Sequence, residues 1–278
     1  MNATRIMFRL ELADALRSRW LLFTAAVYAS VFSLFIWLGL RESSVLGFTG
    51  LSRVVLNVSN AVVLAVPLVA LVATSQTVVR ARQSGFFELI LSQPMRRADW
   101  FMGVVGSRFV VVVGPLLGLL AIALLVSAVS GERDASLLPM VLRSLAVTAS
   151  LAWAFIGIGF WISARARTPE RATVLALLAW LTASALHDFA LVGALLRWKL
   201  APAVVFTLAA ANPEESARIA ILGGIDPDLS VLGPVGFWLA NTLGPNVTLA
   251  IGIGWPALLG TFALHRALRC LEKSDLVG

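Results

Sequence analysis

Residues 80–99 read Arg-Ala-Arg-Gln-Ser-Gly-Phe-Phe-Glu-Leu-Ile-Leu-Ser-Gln-Pro-Met-Arg-Arg-Ala-Asp. Arg80, Arg82, Arg96, Arg97 and Asp99 charge the two ends, while Phe86, Phe87, Leu89, Ile90 and Leu91 make the middle apolar around a single acid, Glu88. Gly85 opens the apolar run and Pro94 closes it, which is the punctuation of a short helix. The chain on either side is of another kind. Val54–Val79 and Phe109–Ser130 contain no ionisable residue. A short charged and greasy helix between two such runs does not cross lipid; it lies against something else at the membrane surface.

Working outward, composition says the same of the whole chain. Of 278 residues, 59% are hydrophobic and 13% charged, against about 25% charged in soluble domains. The net charge of +7 does not indicate nucleic acid, because the basic residues fall in the gaps between apolar runs instead of forming one face. The single cysteine, Cys270, excludes an intrachain disulfide or a thiolate metal cluster. The first apolar run, from Trp20, is too long for a signal-peptide core and reads as a retained span.

The fold class predicted is an all-α integral membrane protein with six transmembrane helices in one domain, 1–278. Residues 1–19 form an interfacial helix of weak amphipathicity. The spans are 20–40, 58–79, 109–130, 144–163, 172–196 and 247–264, each long enough for a ~30 Å hydrocarbon core. The loop 80–100 holds the short helix described above. Residues 197–246 form an outer segment broken by Asn212-Pro213, Gly233-Pro234 and Gly244-Pro245, with a re-entrant or surface helix at 229–243. With the N-terminus inside, fifteen of the 22 Lys and Arg fall on inner segments and seven on outer ones. The positive-inside rule therefore predicts an inner-membrane protein with both termini cytoplasmic. Trp20, Trp100 and Trp161 then sit at inner span ends, where an aromatic belt would be.

Few residues suggest chemistry. No phosphate loop is present, so no nucleotide cofactor is expected in this chain. No His-Glu-x-x-His or Gly-x-Ser-x-Gly occurs, and none of the five Met lies deep in a span, so no metal site and no catalytic residue is predicted. His187 and Asp188 are the one adjacent ionisable pair in a span. They read either as a pathway or coupling site or as an interfacial hydrogen-bonding pair; an intramembrane enzyme built on them is the outlying alternative. The outer residues Asn212, Pro213, Glu214, Glu215 and Arg218 read as a solvated face or a contact for a periplasmic partner. Gly157-Ile158-Gly159 and Gly252-Ile253-Gly254 read as close helix packing.

The run Gly85-Phe86-Phe87-Glu88-Leu89-Ile90-Leu91-Ser92-Gln93-Pro94, followed by Arg97, resembles the coupling-helix motif of ABC type-2 exporter permeases. Arg80, Arg82 and Gln83 stand where that family carries acids, and Phe86 where it carries Thr. Gly47-Phe48-Thr49, Pro67-Leu68-Val69-Ala70-Leu71, Asp188-Phe189-Ala190-Leu191-Val192-Gly193 and Asn212-Pro213 with Arg218 are similar to its nitrous-oxide-reductase-maturation branch. The resemblance implies that Gly85, Phe86, Phe87, Glu88, Leu89, Ile90, Leu91, Pro94 and Arg97 couple the chain to a cytoplasmic ABC ATPase, which binds the ATP and magnesium. It also implies a homodimer, surrounding lipid, and a periplasmic β-helical partner engaged in copper-centre assembly. The work would be movement of a copper- or sulfur-related cargo or mechanical switching of that partner. Export of a lipid-like or drug-like molecule is the alternative within the family.

Overall fold

A computed structural model of the chain describes residues 3–17, 22, 24–30, 33, 51–92, 95–130, 137–224, 229 and 232–273. The elements are α1 (Ala3–Arg17), α2 (Leu51–Thr74), α3 (Thr77–Gln83), α4 (Phe86–Leu91), α5 (Arg97–Ser130), α6 (Leu137–Arg165), α7 (Pro169–Leu181), a π-helical turn (Thr182–Leu186), α8 (His187–Arg197), α9 (Pro202–Ala211), α10 (Pro213–Leu222), α11 (Gly233–Thr242) and α12 (Gly244–Lys273). No strand occurs among the described residues.

Among the described residues, five stretches are long and apolar enough to cross a membrane: Ala61–Gln83, Arg97–Ile122, Leu138–Arg165, Pro169–Arg197 and Gly244–Lys273. Most of the predicted first span, 20–40, lies outside the described residues. Its helical part, 24–30, places Tyr28 fully inside the core.

α6 is the axis of the bundle. It packs on α12, α2, α5, α3, α10 and α7, and Val147, Leu151, Ala154, Phe155 and Phe160 along it are buried. Small residues let its neighbours approach. A Cβ on Gly157 would run into the Gly260 carbonyl of α12, and one on Gly159 into the Thr74 hydroxyl of α2. Such close backbone approach gains dispersion contact that leucine pairs in lipid cannot supply. The Gly157-Ile158-Gly159 reading is thus seen in the packing. Gly252 also fits, against Ala220, whereas nothing lies near Gly254.

Helix ends follow local chemistry. Thr168 accepts the Arg171 N–H and Pro169 starts α7; Asn212 accepts the Glu214 N–H and Pro213 starts α10. Proline at the first helical position gives up only an N–H that has no intrahelical partner. Gly85 (φ +68°) and Gly244 (φ +72°) take left-handed backbone that other residues avoid, and each turns the chain into the helix that follows.

Several boundaries differ from the sequence reading. The helix expected to start at 109 starts at Arg97, which shortens the 80–100 loop. Arg108 had marked a span edge, but it pairs with Glu11 of α1 at 3.7 Å, and Thr4 of α1 donates to Asp99 at 2.8 Å. α1 lies flush on α5, where Gly103 leaves 2.8 Å between a would-be Cβ and that of Met7. The last span extends past 247–264 to Gly244–Lys273. Among the described residues the segment 197–246 contains three short helices, and α10 does not lie wholly on the surface: Ala217, Ala220 and Ile221 pack into the main core against α12, α2 and α6.

Candidate functional site

The helix read from residues 80–99 forms as α4, six residues long after the Gly85 turn. The apolar side chains do not all face outward as the sequence suggested. Phe87 is 2% exposed and meets Trp100 edge-on at 4.8 Å, with Phe86 tilted against the same indole at 6.3 Å. Trp100 is itself buried, so it is an anchor for α4 and not part of an interfacial belt. Leu89, 67% exposed, is the apolar side chain left free on α4 among those described. Pro94 lies outside the described residues, as do the side chains of Glu88, Ile90 and Leu91.

The preceding turn is held as firmly. α2 breaks at Ser75 and Gln76, and the freed Val78 and Val79 N–H groups both donate to Ser163 Oγ of α6, at 2.9 and 3.2 Å. Arg82 donates to the Ala164 carbonyl at 3.0 Å, Gln83 to the Arg167 carbonyl at 3.2 Å, and Gln76 to Thr173 of α7. Arg97 donates to the Leu271 and Glu272 carbonyls, both at 3.0 Å, satisfying acceptors that the end of α12 leaves open. The α3–α4 unit is therefore latched to α6, α7 and α5, while α5 is latched to α12.

At the far end of α7 the structure joins two groups that the sequence kept apart. The π turn, whose wider ring leaves its helix one residue out of register, brings Ser184 to Glu214 and Ala183 to Asn212. Ser184 Oγ donates to Glu214 Oε2 at 2.7 Å, and Asn212 Nδ2 donates to the Ala183 carbonyl at 2.7 Å. Arg218 pairs with Glu215, with Asp188 at 3.6 Å and with Glu214 at 4.0 Å. His187 Nδ1 stands 3.7 Å from Asp188, and its Nε2 is 3.1 Å from the Leu208 carbonyl. Asn212, Pro213 and Glu214, read as an outer surface, are buried, whereas the Arg218 side chain keeps 31% of its area exposed.

The chemistry of this cluster is electrostatic. One guanidinium serves three carboxylates, and Glu214 Oε1 has no hydrogen-bond donor. Burial pushes the Glu214 carboxyl up to about 7, with the Ser184 hydrogen bond and the Arg218 charge opposing. Burial raises Glu215 as well, again against Arg218. Among the described residues the contacts of His187 are with Asp188 and the Leu208 carbonyl, and Ser184 is committed to Glu214. No group of three or more His, Cys, Asp or Glu suited to a metal ion occurs among the described residues. Ser184 and Ser163 were not singled out from sequence, and Trp100 was read only as a belt residue. Ser and Trp at such positions carry no local signal, because their partners are 30, 85 and 13 residues away.

Residues 5–266 match the ABC-2 family transporter protein. Two relatives carry the name probable ABC transporter permease protein NosY. The one from Stutzerimonas stutzeri is 27% identical over 266 residues, spanning 93% of each chain. The one from Pseudomonas aeruginosa is 28% identical over 261 residues, covering 88% of this chain and 94% of its own. Permeases of this kind are membrane subunits rather than enzymes and work with an ATPase subunit. With a helical bundle whose apolar spans are joined by a latched amphiphilic helix, and a family match over nearly its whole length, the chain belongs to the ABC-2 family of transporter proteins.

Proposed function

We propose that this chain is the permease subunit of a NosY-like ABC complex, in which a cytoplasmic ATPase grips the α3–α4 unit. ATP and magnesium belong to the ATPase. The observation that carries this reading is the division of labour within α4: Phe87 and Trp100 bolt it to the bundle, while Leu89 projects at 67% exposure from an element fixed to α6 and α7. An apolar side chain held out on a rigid support is what a cleft on a partner would engage. Both termini are cytoplasmic in this reading, and the first span passes through 20–40.

Motion of α3–α4 passes along α7, through Gln76–Thr173, then Trp180, whose Nε1 donates to the Leu64 carbonyl, to the π turn and its bonds with Asn212 and Glu214. His187, Asp188 and Arg218 tie the same turn to α10. The exposed side of α7 and α8, with Leu181, Leu186, Phe189 and Leu196, suits a second copy of the chain. The work delivered outward is mechanical switching of a periplasmic partner in copper-enzyme maturation, of the nitrous oxide reductase kind. Movement of a copper- or sulfur-related cargo fits less well, because the described spans offer no ligand cluster.

Leu89→Cys in a Cys270→Ser background gives a chain with one thiol. A membrane-impermeant maleimide is expected to label it in inside-out vesicles only, and the ATPase is expected to block labelling. Labelling in right-side-out cells would overturn the orientation. Labelling unaffected by a bound ATPase would overturn the grip.

A further inference from the structure

Where α6 ends and α7 begins, Trp161, Ile162, Arg165, Arg167, Arg171 and Leu175 line a cleft of about 660 Å³. Three guanidinium groups open onto it. The Arg165 guanidinium carbon stands 5.7 Å from the centre of the Trp161 ring, which fixes that side chain by a cation–π contact. No carboxylate lies within ion-pair distance of Arg165, Arg167 or Arg171 among the described residues. Glu170, the acid on the same turn, is hydrogen-bonded to Thr168 and feels the charge of Arg80. The cleft therefore carries uncompensated positive charge.

Its position gives that charge a meaning. Arg165 ends one membrane-crossing helix and Pro169 begins the next, so the cleft lies at headgroup depth. Its apolar wall does not stop at the rim. Leu175 is 40% exposed and Leu178, one turn further along α7, is 52% exposed, so a greasy strip runs from the arginines down the lipid-facing side. A site that reads an anion at one end and hydrocarbon at the other is complementary to a charged amphiphile, and basic pockets between spans are where such headgroups lodge. We propose that this cleft binds the headgroup of an anionic phospholipid, its phosphate held by Arg165, Arg167 and Arg171 and one acyl chain lying along Leu175 and Leu178. This rests on the membrane placement of α6 and α7 and not on which side faces the cytoplasm, nor on the ATPase grip.

The test uses the full chain purified in detergent, offered phosphatidylglycerol or phosphatidylcholine and read by native mass spectrometry. Phosphatidylglycerol is expected to be retained preferentially. Arg165→Gln/Arg167→Gln/Arg171→Gln is expected to lower that preference about a hundredfold, at roughly fivefold per guanidinium near an anionic headgroup. Circular dichroism checks its fold, and the triple lysine variant, which keeps the charge, is expected to retain part of the preference. Equal retention in the glutamine variant would overturn the proposal. Displacement of the lipid by excess inorganic phosphate would also overturn it, assigning the cleft to small anions. Protection of these arginines from phenylglyoxal by the ATPase alone, with no lipid retained, would assign them to a protein interface instead.

Discussion

Phe87→Ala is expected to detach α4 from the bundle without unfolding the spans. Phe87 is 2% exposed and packs edge-on against a Trp100 that is 1% exposed, so the substitution removes a full aromatic side chain from a closed site. Such truncations cost about 3–5 kcal/mol, of which the ring–ring geometry supplies about 0.5–1.5. α4 is one and a half turns long and cannot hold itself as a helix. The cost therefore falls on local opening rather than on global stability. Hydrogen exchange reads this directly. The Leu89 amide, which donates to the Gly85 carbonyl at 3.4 Å, and its neighbours to 91 should exchange at least about a hundredfold faster, while amides of α6 keep their protection. Leu89→Ala, at an exposed position, should change stability by no more than about 0.5 kcal/mol yet weaken ATPase retention on co-purification. If Phe87→Ala left exchange at 86–91 unchanged, the inward anchor would be wrong. If Leu89→Ala left ATPase stoichiometry unchanged while Phe87→Ala abolished it, the division of roles between the two residues would be reversed.

Gly157→Ala forces a methyl into the Gly260 carbonyl and should destabilise the α6–α12 contact by about 1–3 kcal/mol, seen as a lower thermal midpoint in detergent. Gly254→Ala, with open space around it, should not. Arg97→Ala removes both side-chain bonds to the last turn of α12 and should raise hydrogen exchange at 268–273, at a cost of about 1–2 kcal/mol. The Glu214 carboxyl is raised by burial to about 7 from an ordinary 4.5. Between those pH values the folded state holds more protons than the unfolded one, so stability should fall as pH rises through this window. The 2.5-unit difference sets a loss of about 3 kcal/mol by pH 7. Glu214→Gln should flatten the thermal midpoint between pH 5 and 8, apart from a smaller slope of the same sign from Glu215. A midpoint that climbs with pH in the unsubstituted chain would contradict the buried, under-partnered acid.

What the sequence disclosed was whatever is encoded by runs and punctuation. Val54–Val79 and the uncharged stretches after it announced spans because hydrocarbon tolerates little else, and Gly85 announced the turn into α4. The differences share a root in long-range pairing, and for charged residues this means that charge is no sure marker of water. Arg108 lies within a helix of 34 residues because Glu11, 97 positions away, neutralises it. Glu214 is buried because Ser184 and Arg218 reach it. Phe86 and Phe87 looked like a surface for a partner since their own partner, Trp100, sits beyond Pro94 in a helix that seemed to begin later. Long-range pairing of this kind leaves no periodic trace. The π turn has none either, since Thr-Ala-Ser-Ala-Leu differs in no obvious way from an α-helical run.

The helices are held unequally, and this makes α7 the proposed transmitting element. α6 is wedged on two sides, by the Gly260 backbone at Gly157 and the Thr74 side chain at Gly159, and displacing it would break both contacts. α7 has no such wedge. Val174, Leu175, Leu177 and Leu178 are all exposed on it, so sliding that face exchanges one apolar contact for another. Besides the buried contacts of Ala172 and Ala176, its fixed points are polar: Thr173 to Gln76, Trp180 to the Leu64 carbonyl, and the π turn to α10. A π turn can return to α-helical pairing by a one-residue change of register, which moves the chain about 1.5 Å along the axis and turns it by about 100°. Hydrogen bonds of 2.7 Å from Ser184 and to Ala183 do not survive a displacement of that size. The same small shift would thus free Glu214 and Asn212 together, at the junction between α9 and α10.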